Sequence, residues 1–191
     1  MARIAHLDAD AFFYSVELLR DPSLKGKRVA VGGESHRSVV STASYEARQL
    51  GVHSGMSMQR SKTMIPDLII VRPHFPAYRE VSQTMWGIAE EILGPMEHAG
   101  LDEAYANLSE AKDPLALLRE VVERVKKECG IQLSVGLGPN RLVAKVASDA
   151  DKPSGFLVLS REQACERFRD AHPGIIPGIG PKTQERLARV G

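Results

Sequence analysis

The chain has only two cysteines and no long apolar run. Cys129 and Cys165 are too few for a disulfide framework, and their spacing fits no zinc motif. The apolar stretches fall far short of the roughly 18 residues that a membrane-spanning helix needs. The opening MARIAHLDAD turns acidic at once, which is not typical of a signal peptide. We therefore expect two reduced thiols in a cytoplasmic protein that makes no contact with a membrane.

The chain also lacks an excess of charge of either sign. It contains 25 Lys and Arg residues against 24 Asp and Glu residues, so the formal net charge is +1. Domains that bind nucleic acid usually carry a basic excess, and charge alone would argue against that function. The 191 residues include no internal repeat or low-complexity tract, and their number suits one large domain or two small ones.

Hydrophobic periodicity predicts a regular order of strands and helices. The predicted strands are residues 2–7, 96–101, 104–108 and 132–137, and the helices between them are residues 77–93 and 113–129. When residues 11–73 are set aside, the order is strand, helix, strand, strand, helix, strand. This order is the split βαβ, ferredoxin-like arrangement of an α+β fold. Its first and third strands are neighbours at the centre of the sheet.

Three carboxylates are predicted to meet at one edge of this sheet. Asp8 lies at the end of the first strand, and a turn at Asp102 and Glu103 precedes the third. Clustered carboxylates repel one another, so a bound divalent cation would explain their proximity. Oxygen ligands suit Mg²⁺, and two such ions about 4 Å apart can activate a hydroxyl and stabilise a leaving pyrophosphate. Asp10 is instead interpreted as a surface charge or a helix cap.

Five segments resemble motifs of the Y-family DNA polymerases, in the order of that family. They are HLDADAFFYSVE at residues 6–17, STASYEARQLGVHSGM at 41–56, GLDEAY at 100–105, LSVGLGPNRLVAKVASDADKPSG at 133–155 and PGIGPKTQERLARVG at 177–191. The DinB-like bacterial enzymes are the group that the chain resembles most. The resemblance implies a template-directed, translesion DNA polymerase that adds deoxynucleotides to a primer 3′ hydroxyl and releases pyrophosphate.

The resemblance also implies a domain layout. Residues 1–10 and 74–159 would form the ferredoxin-like catalytic palm, residues 11–73 the small inserted fingers, and residues 160–191 the start of a helical thumb. The chain would end inside the thumb, before the C-terminal DNA-gripping domain through which a sliding clamp would bind. Without a following cap, the last turn at residues 187–191 is expected to fray. The implied partners of this monomer are primer-template DNA and deoxynucleoside triphosphates.

The resemblance assigns the metal site to Asp8, Asp102 and Glu103, helped by the carbonyl of Ala9. These groups would hold two Mg²⁺ ions, for which Mn²⁺ could substitute, and Glu103 would lie nearest the primer hydroxyl. The six histidines show no metal-ligand spacing and are left out of the site. Gly100 stands where the family usually has serine, a departure that removes no ligand.

A second set of residues is implied to bind the nucleotide. Its members are Phe12, Phe13, Thr42, Tyr45, Arg48 and Lys152. Phe13 would be a steric gate whose ring fills the space of a ribose 2′ hydroxyl, whereas the side chain of Phe12 is assigned to the core. Tyr45 and Arg48 share a helix face and, with Lys152, would bind the triphosphate. Without the resemblance, an exposed helix surface and a solvated loop lysine are the simpler interpretations of these three.

Two smaller groups would face the DNA. Val39 and Ser41 would roof the nascent base pair. In the hairpin near the end of the chain, Gly178 and Gly180 permit close approach of the backbone to a phosphate, and the N–H groups of the following helix would point at it. Lys182 would add positive charge to this contact.

Two other functions remain open on these residues. Nucleotide cyclases also place carboxylates on a ferredoxin-like palm, although an insertion with Phe13, Tyr45 and Arg48 argues against them. A catalytically inert, polymerase-like module that binds DNA or partner proteins is the other, and the acidic triad argues against it.

Overall fold

The computed structural model describes residues 3–35 and 37–190, which divide into two compact units. The five-stranded unit contains the chain up to residue 9, residues 87–126 and the chain from residue 132. The three-stranded unit contains residues 10–86 and 127–131. Within the described residues, no helix is both long and apolar enough to cross a membrane. The assignment of palm, fingers and thumb to separate sequence ranges stays a prediction.

The helices and strands alternate along most of the chain. In order they are β1 (Ile4–Ala9), α1 (Phe12–Arg20), β2 (Val29–Gly32), β3 (Val40–Ala43), α2 (Tyr45–Gln49), α3 (Met58–Met64), β4 (Ile69–Val71), α4 (Phe75–Leu93), β5 (Met96–His98), β6 (Glu103–Asn107), α5 (Pro114–Cys129), β7 (Leu133–Gly138), α6 (Arg141–Ala150), β8 (Phe156–Val158), α7 (Arg161–Arg169) and α8 (Pro181–Ala188), with short 3-10 helices at Pro22–Leu24 and Pro173–Ile175.

The larger sheet has the strand order β5-β6-β1-β7-β8. Strands β5, β6, β1 and β7 pair antiparallel in turn, and β8 pairs parallel to β7. The first four strands therefore have the ferredoxin-like order, with β1 and β6 adjacent at the centre. The predicted fold class is confirmed, and β8 extends the sheet by one strand.

Helix α5 shows why the sequence pattern located these elements well. The carboxylate of Asp113 accepts the N–H of Ala116 at 3.0 Å, and Pro114 takes the first helical position. Leu118, Val121 and Val125 recur on one face and are fully buried. The cap and the apolar stripe together place α5 within the predicted range of residues 113–129.

The turn before β6 differs from the prediction. Glu103 is the first residue of β6, and the turn covers residues 99–102. The difference arises because the N–H of Ala99 donates to the carbonyl of Glu103 at 3.0 Å, which closes the hairpin one residue earlier. Strand β1 also continues to Ala9, so Asp8 lies inside a strand and not after one.

In the three-stranded unit the order is β3-β2-β4, with β2 and β4 parallel. Ser44 connects α2 to the sheet: the Ser44 hydroxyl accepts the N–H of Ala47 and of Val29 and donates to the carbonyl of Lys27. A buried cluster fills the space between the sheet and α2 and α3. Its members are Ala30, Val40, Ala43, Ala47, Val52, Met56, Met58, Ile65 and Leu68.

The interpretation of Asp10 as a surface charge or helix cap is wrong. Asp10 is only 3% exposed, and the N-cap position of α1 belongs to Ala11. Ala11 has a left-handed φ of 46°, which turns the chain sharply at this point. The carbonyl of Asp10 then accepts the hydroxyl of Ser15 at 2.7 Å.

The last part of the chain is helical, as the sequence predicts. Ser160 and Gln163 form a capping box at the start of α7. Helix α8 ends at Ala188, but the N–H groups of Arg189 and Val190 still donate to carbonyls three residues back. These turn hydrogen bonds hold residues 187–190 in the structure, and the fraying expected for the last turn stays a prediction. Gly191 lies outside the described residues.

Close packing of α6 on β7 generates a test of the fold. A Cβ atom on Gly136 would lie 2.0 Å from the carbonyl oxygen of Ala144 and 2.4 Å from the nitrogen of Ser148. We predict that Gly136→Ala lowers the free energy of unfolding by at least ~2 kcal/mol, since backbone atoms must shift. Denaturant titration is the measurement. Gly87→Ala is the matched control: it meets open space inside α4 and should raise stability by up to about 1 kcal/mol.

Candidate active site

Three acidic residues of the five-stranded unit meet at one end of the pair of central strands, β1 and β6. Asp8 on β1 lies directly opposite Glu103 on β6 in the antiparallel register. Asp102 precedes Glu103, and its carbonyl accepts the N–H of Ala9 at 2.8 Å. The structure thus brings the backbone of all four predicted metal-site residues to one sheet edge. Asp8 is 9% exposed, and Asp102 and Glu103 are half-buried.

Two lysines neutralise part of this charge. The Nζ atom of Lys145 lies 2.6 Å from Oε2 of Glu103 and 3.6 Å from Oδ2 of Asp8. The Nζ atom of Lys152 lies 2.6 Å from Oδ1 of Asp8 and 2.8 Å from Oδ1 of Asp149. Lys152, which the resemblance assigns to the triphosphate, is thus placed on a carboxylate. Asp149 joins both lysines, since its Oδ2 lies 3.8 Å from the Nζ of Lys145.

The sequence interpretation missed Lys145 and Asp149. Lys145 and Asp149 are four positions apart, a spacing that places both side chains on one face of a helix, and Lys152 follows in the loop after α6. That spacing was the available signal, but it does not reveal which carboxylates the face would meet. Only the contact between α6 and β1 supplies that information.

His6 is a second residue that the sequence interpretation missed. It lies two positions before Asp8 on β1, so both side chains point to the same side of the sheet. Its Nδ1 lies 2.7 Å from the hydroxyl of Ser148, and its ring lies 4.5 Å from that of Tyr105. Its Nε2 approaches Oε2 of Glu103 at 3.4 Å but forms no hydrogen bond there. One donor atom each of His6, Asp8 and Glu103 lie within 4.8 Å of one another.

Burial is the main cause of the pKa shifts of His6, Asp8 and Asp102. Burial raises the pKa of Asp8 to about 6, against the opposing pull of Lys152 and Lys145. Burial also raises the pKa of Asp102. For Glu103, burial is outweighed by the hydrogen bond and charge of Lys145, which lower its pKa. Burial and the charge of Lys145 lower the pKa of His6 to about 4, so its imidazole is neutral near pH 7.

The cluster fits divalent cations. Four carboxylates, those of Asp8, Asp102, Glu103 and Asp149, share two ammonium groups, so two negative charges are left over when all are ionised. Carboxylate oxygens are the ligands that Mg²⁺ prefers. Gly100 does not disturb this arrangement, because a Cβ atom there would lie at an ordinary 3.4 Å from Oδ1 of Asp102.

The predicted nucleotide-binding residues of the three-stranded unit lie on two segments: Thr42, Tyr45 and Arg48 on β3 and α2, and Phe12 and Phe13 on α1. Arg48 stacks over the ring of Tyr45, with its guanidinium carbon 5.0 Å from the ring centre, so these two residues do share a face. Thr42 lies on β3 beside them in sequence. Phe13 is half-buried at the start of α1. The side chain of Phe12 is only 1% exposed, which agrees with its assignment to the core and removes its ring from the nucleotide-binding set.

The residues predicted to face DNA lie on exposed segments of their own units. Val39 is 51% exposed, and the half-buried Ser41 accepts the hydroxyl of Ser54 at its carbonyl. Gly178 has a left-handed φ of 87°, and Gly180 forms the N-cap of α8. Lys182 is exposed on the first turn of that helix. Their predicted contacts with DNA stay predictions.

The raised pKa of Asp8 generates a test in metal-free protein. Between about pH 4 and 6 the folded state keeps a proton on Asp8 that the unfolded state has lost, because the pKa is about 6 when folded and 3.8 ordinarily. Asp8 therefore stabilises the fold at low pH and loses that contribution as pH rises through 6. The stability of Asp8→Asn, relative to the unmodified chain, should rise by about 1 kcal/mol per pH unit in this window.

Urea titration in the presence of a chelator measures this slope. Asp21→Asn is the control of opposite sign, because hydrogen bonds from Ser23 lower the pKa of Asp21. Its relative stability should fall, not rise, as pH increases through the acid range. A flat difference for Asp8→Asn would show that Asp8 is not buried as described.

Comparison with known proteins gives consistent matches. The family model described as impB/mucB/samB matches residues 7–149. DNA polymerase IV of Pseudomonas aeruginosa is 40% identical over 196 residues, covering 100% of this chain and 56% of that protein. The structure of DinB from Sulfolobus solfataricus matches with a TM-score of 0.89 at 30% identity, over 99% of this chain and 57% of that one. An insertion ternary complex of Dbh DNA polymerase matches with a TM-score of 0.90 at 30% identity, over 99% and 58%.

These matches agree with the fold and with the acidic cluster. The chain spans little more than half the length of the curated relatives that it matches. Y-family DNA polymerases generally use divalent metal ions, which suits the surplus of carboxylates beside β1 and β6. The family model matches most of the chain, and the similarity to the relatives extends over all of it. These matches show that the chain belongs to the impB/mucB/samB family, the Y-family of DNA polymerases.

Proposed function

We propose that this chain carries the catalytic part of a template-directed translesion DNA polymerase. The observation that carries the proposal is the pairing of Asp8 with Glu103 across β1 and β6, with Asp102 at the same edge. Family membership and the polymerase relatives support it. The reaction would join a deoxynucleotide to a primer 3′ hydroxyl with release of pyrophosphate. Membership in this family also argues against a nucleotide cyclase.

Asp8, Asp102 and Glu103, with the carbonyl of Ala9, would hold two Mg²⁺ ions, and Mn²⁺ could replace them. When bound, such ions activate the attacking hydroxyl and neutralise charge on the leaving pyrophosphate. Glu103 would lie nearest the primer hydroxyl. Lys145, at 2.6 Å from Glu103, would keep that carboxylate ionised and oriented, since its hydrogen bond lowers the pKa of Glu103.

The nucleotide would be held by charge and shape. Tyr45 and Arg48 would bind the triphosphate, with Thr42 adding a hydroxyl contact. Lys152 would move from Asp8 to the triphosphate once cations neutralise the carboxylates, since its ammonium could then bind another anion. Phe13 would exclude ribonucleotides by occupying the space of their 2′ hydroxyl.

Primer-template DNA is the proposed partner. Val39 and Ser41 would roof the nascent base pair, and Gly178, Gly180 and Lys182 would contact a phosphate. A firm grip on the duplex, and any contact with a sliding clamp, is proposed for the part of the relatives that this chain does not match. We place the protein in the cytoplasm as a monomer.

Loss of a metal ligand should abolish most activity. Asp102→Ala should slow single-nucleotide primer extension at least ~100-fold, which is about 3 kcal/mol of barrier, because both ions would lose a ligand. The measurement is extension with Mg²⁺ by the full product of the encoding gene. Glu123→Ala, on the exposed side of α5, is the control and should extend normally.

The same assay separates the alternatives. Normal extension by Asp102→Ala would refute the metal-site assignment. Absence of extension by the unmodified protein would favour an inert module that binds DNA or partner proteins. A product formed from nucleotide alone, without primer-template, would instead indicate cyclase chemistry.

The assignment of the steric gate makes a separate prediction. Phe13→Ala should raise the use of ribonucleotides while deoxynucleotide insertion falls less, because a methyl side chain leaves room for the 2′ hydroxyl. Insertion rates with both sugars decide the matter. Phe12→Ala should instead cost about 3 kcal/mol of stability, because its ring is buried. Unchanged sugar selectivity in Phe13→Ala would mean that another residue is the gate.

A further inference from the structure

Phe13 belongs to a cluster of four aromatic rings in the three-stranded unit. Its ring is stacked on that of Tyr78, with ring centres 4.4 Å apart and an interplanar angle of 12°. Phe75 meets both rings edge-on, at 5.8 Å from Phe13 and 5.6 Å from Tyr78. Phe12 packs beside them, 5.9 Å from Phe13. One face of the Phe13 ring therefore rests on Tyr78.

Tyr78 is itself held in place by burial and by a hydrogen bond. It is fully buried, and its hydroxyl donates to Oε1 of Glu17 at 2.6 Å. The other carboxylate oxygen of Glu17 accepts from Arg20 at 2.7 Å, and Glu17 is only 3% exposed. Burial, followed by the Glu17 hydrogen bond, raises the pKa of Tyr78 well above its usual value, so its hydroxyl remains a donor. The ring of Tyr78 cannot slide without leaving the buried carboxylate of Glu17 short of a partner.

The residues at the two ends of this series of contacts, Phe13 and Glu17, belong to the same helix, α1. Phe13 and Glu17 are four positions apart on α1 and share one of its faces. Tyr78, from the first turn of α4, reaches both: its ring contacts Phe13 and its hydroxyl contacts Glu17. Because the Tyr78 ring is fixed by its hydroxyl and stacks on Phe13 with its face, it holds the Phe13 ring in one orientation.

A steric gate depends on such rigidity. A ring that can tilt away by a fraction of an ångström accommodates an extra hydroxyl, whereas a ring backed by close-packed atoms cannot. Discrimination between sugars is therefore sensitive to whatever supports the gate, even where the support never touches the nucleotide.

We propose that Tyr78 and Glu17 are positioning residues that hold Phe13 in place and thereby set the discrimination between deoxyribose and ribose. This inference rests on the proposed role of Phe13 as the gate. Tyr78 acts through stacking, and Glu17 acts through the hydroxyl of Tyr78.

The experiment compares kcat/KM for insertion of a deoxynucleotide and of the matching ribonucleotide, using the full product of the encoding gene. Tyr78→Leu removes the ring and should reduce the deoxyribose preference about tenfold, the effect of a barrier change of ~1.4 kcal/mol. Tyr78→Phe and Glu17→Gln keep the stack but weaken its anchor, and each should reduce the preference about threefold. In all three variants deoxynucleotide insertion should fall less than ribonucleotide insertion rises.

Tyr14→Phe is the matched control. Tyr14 is also buried, lies on α1 and bonds through its hydroxyl, but to the carbonyl of Leu24 and not to the aromatic cluster. Its loss should leave the sugar preference unchanged. If Tyr78→Leu fails to fold, as judged by its near-ultraviolet circular dichroism, then Tyr78→Phe and Glu17→Gln decide the question.

The double variant Phe13→Ala/Tyr78→Leu locates the effect. If Tyr78 acts through Phe13, the double variant should show no lower preference than Phe13→Ala alone. Equal losses of insertion with both sugars would reduce Tyr78 and Glu17 to structural residues and overturn the positioning role. If Phe13→Ala lowers the preference and Tyr78→Leu does not, the gate stands and the positioning role fails. If Phe13→Ala leaves the preference unchanged, both the gate assignment and the positioning role are wrong.

Discussion

Repulsion between Asp8 and Glu103 sets the requirements for everything around them. Antiparallel pairing of β1 with β6 places these two residues directly opposite each other. The pairing cannot shift by one residue without moving the apolar side chains of Ala5 and Leu7 to the face that carries Asp8. The charges must therefore be neutralised where they stand. Lys145 and Lys152 do this from α6 and the loop after it, each within 2.6 Å of a carboxylate.

The need for Lys145 beside the carboxylates explains why α6 packs so closely on β7. Lys145 can reach Glu103 only if its helix lies close to the sheet, and the absence of a side chain on Gly136 allows that approach. Ser148, from the same helix, then holds the neutral imidazole of His6 beside Glu103. Both the electrostatics of the site and the packing of α6 on the sheet thus depend on the small residues Gly136 and Ser148.

Much of this arrangement could be predicted from the sequence, and what could not has a physical reason. The order of strands and helices follows from local signals such as the Asp113 cap and the apolar stripe of α5, and strand order then brings Asp8 near Glu103. The contacts of Lys145, His6 and Tyr78 depend on which faces of separate elements meet, and local periodicity does not encode that. The same holds for Asp10: an aspartate beside a helix start is usually exposed, but tertiary packing leaves this one only 3% exposed.

The two lysines beside the carboxylates also differ in chemical reactivity from an ordinary surface lysine. Their ion pairs overcome the effect of burial and raise the pKa of both amines. Acylation requires a neutral amine with a free lone pair, and a raised pKa makes that form even rarer at neutral pH than it is in an ordinary lysine, which is already mostly protonated. We therefore expect the two lysines on which the acidic strands depend to react more slowly with acyl donors than lysines in open solvent.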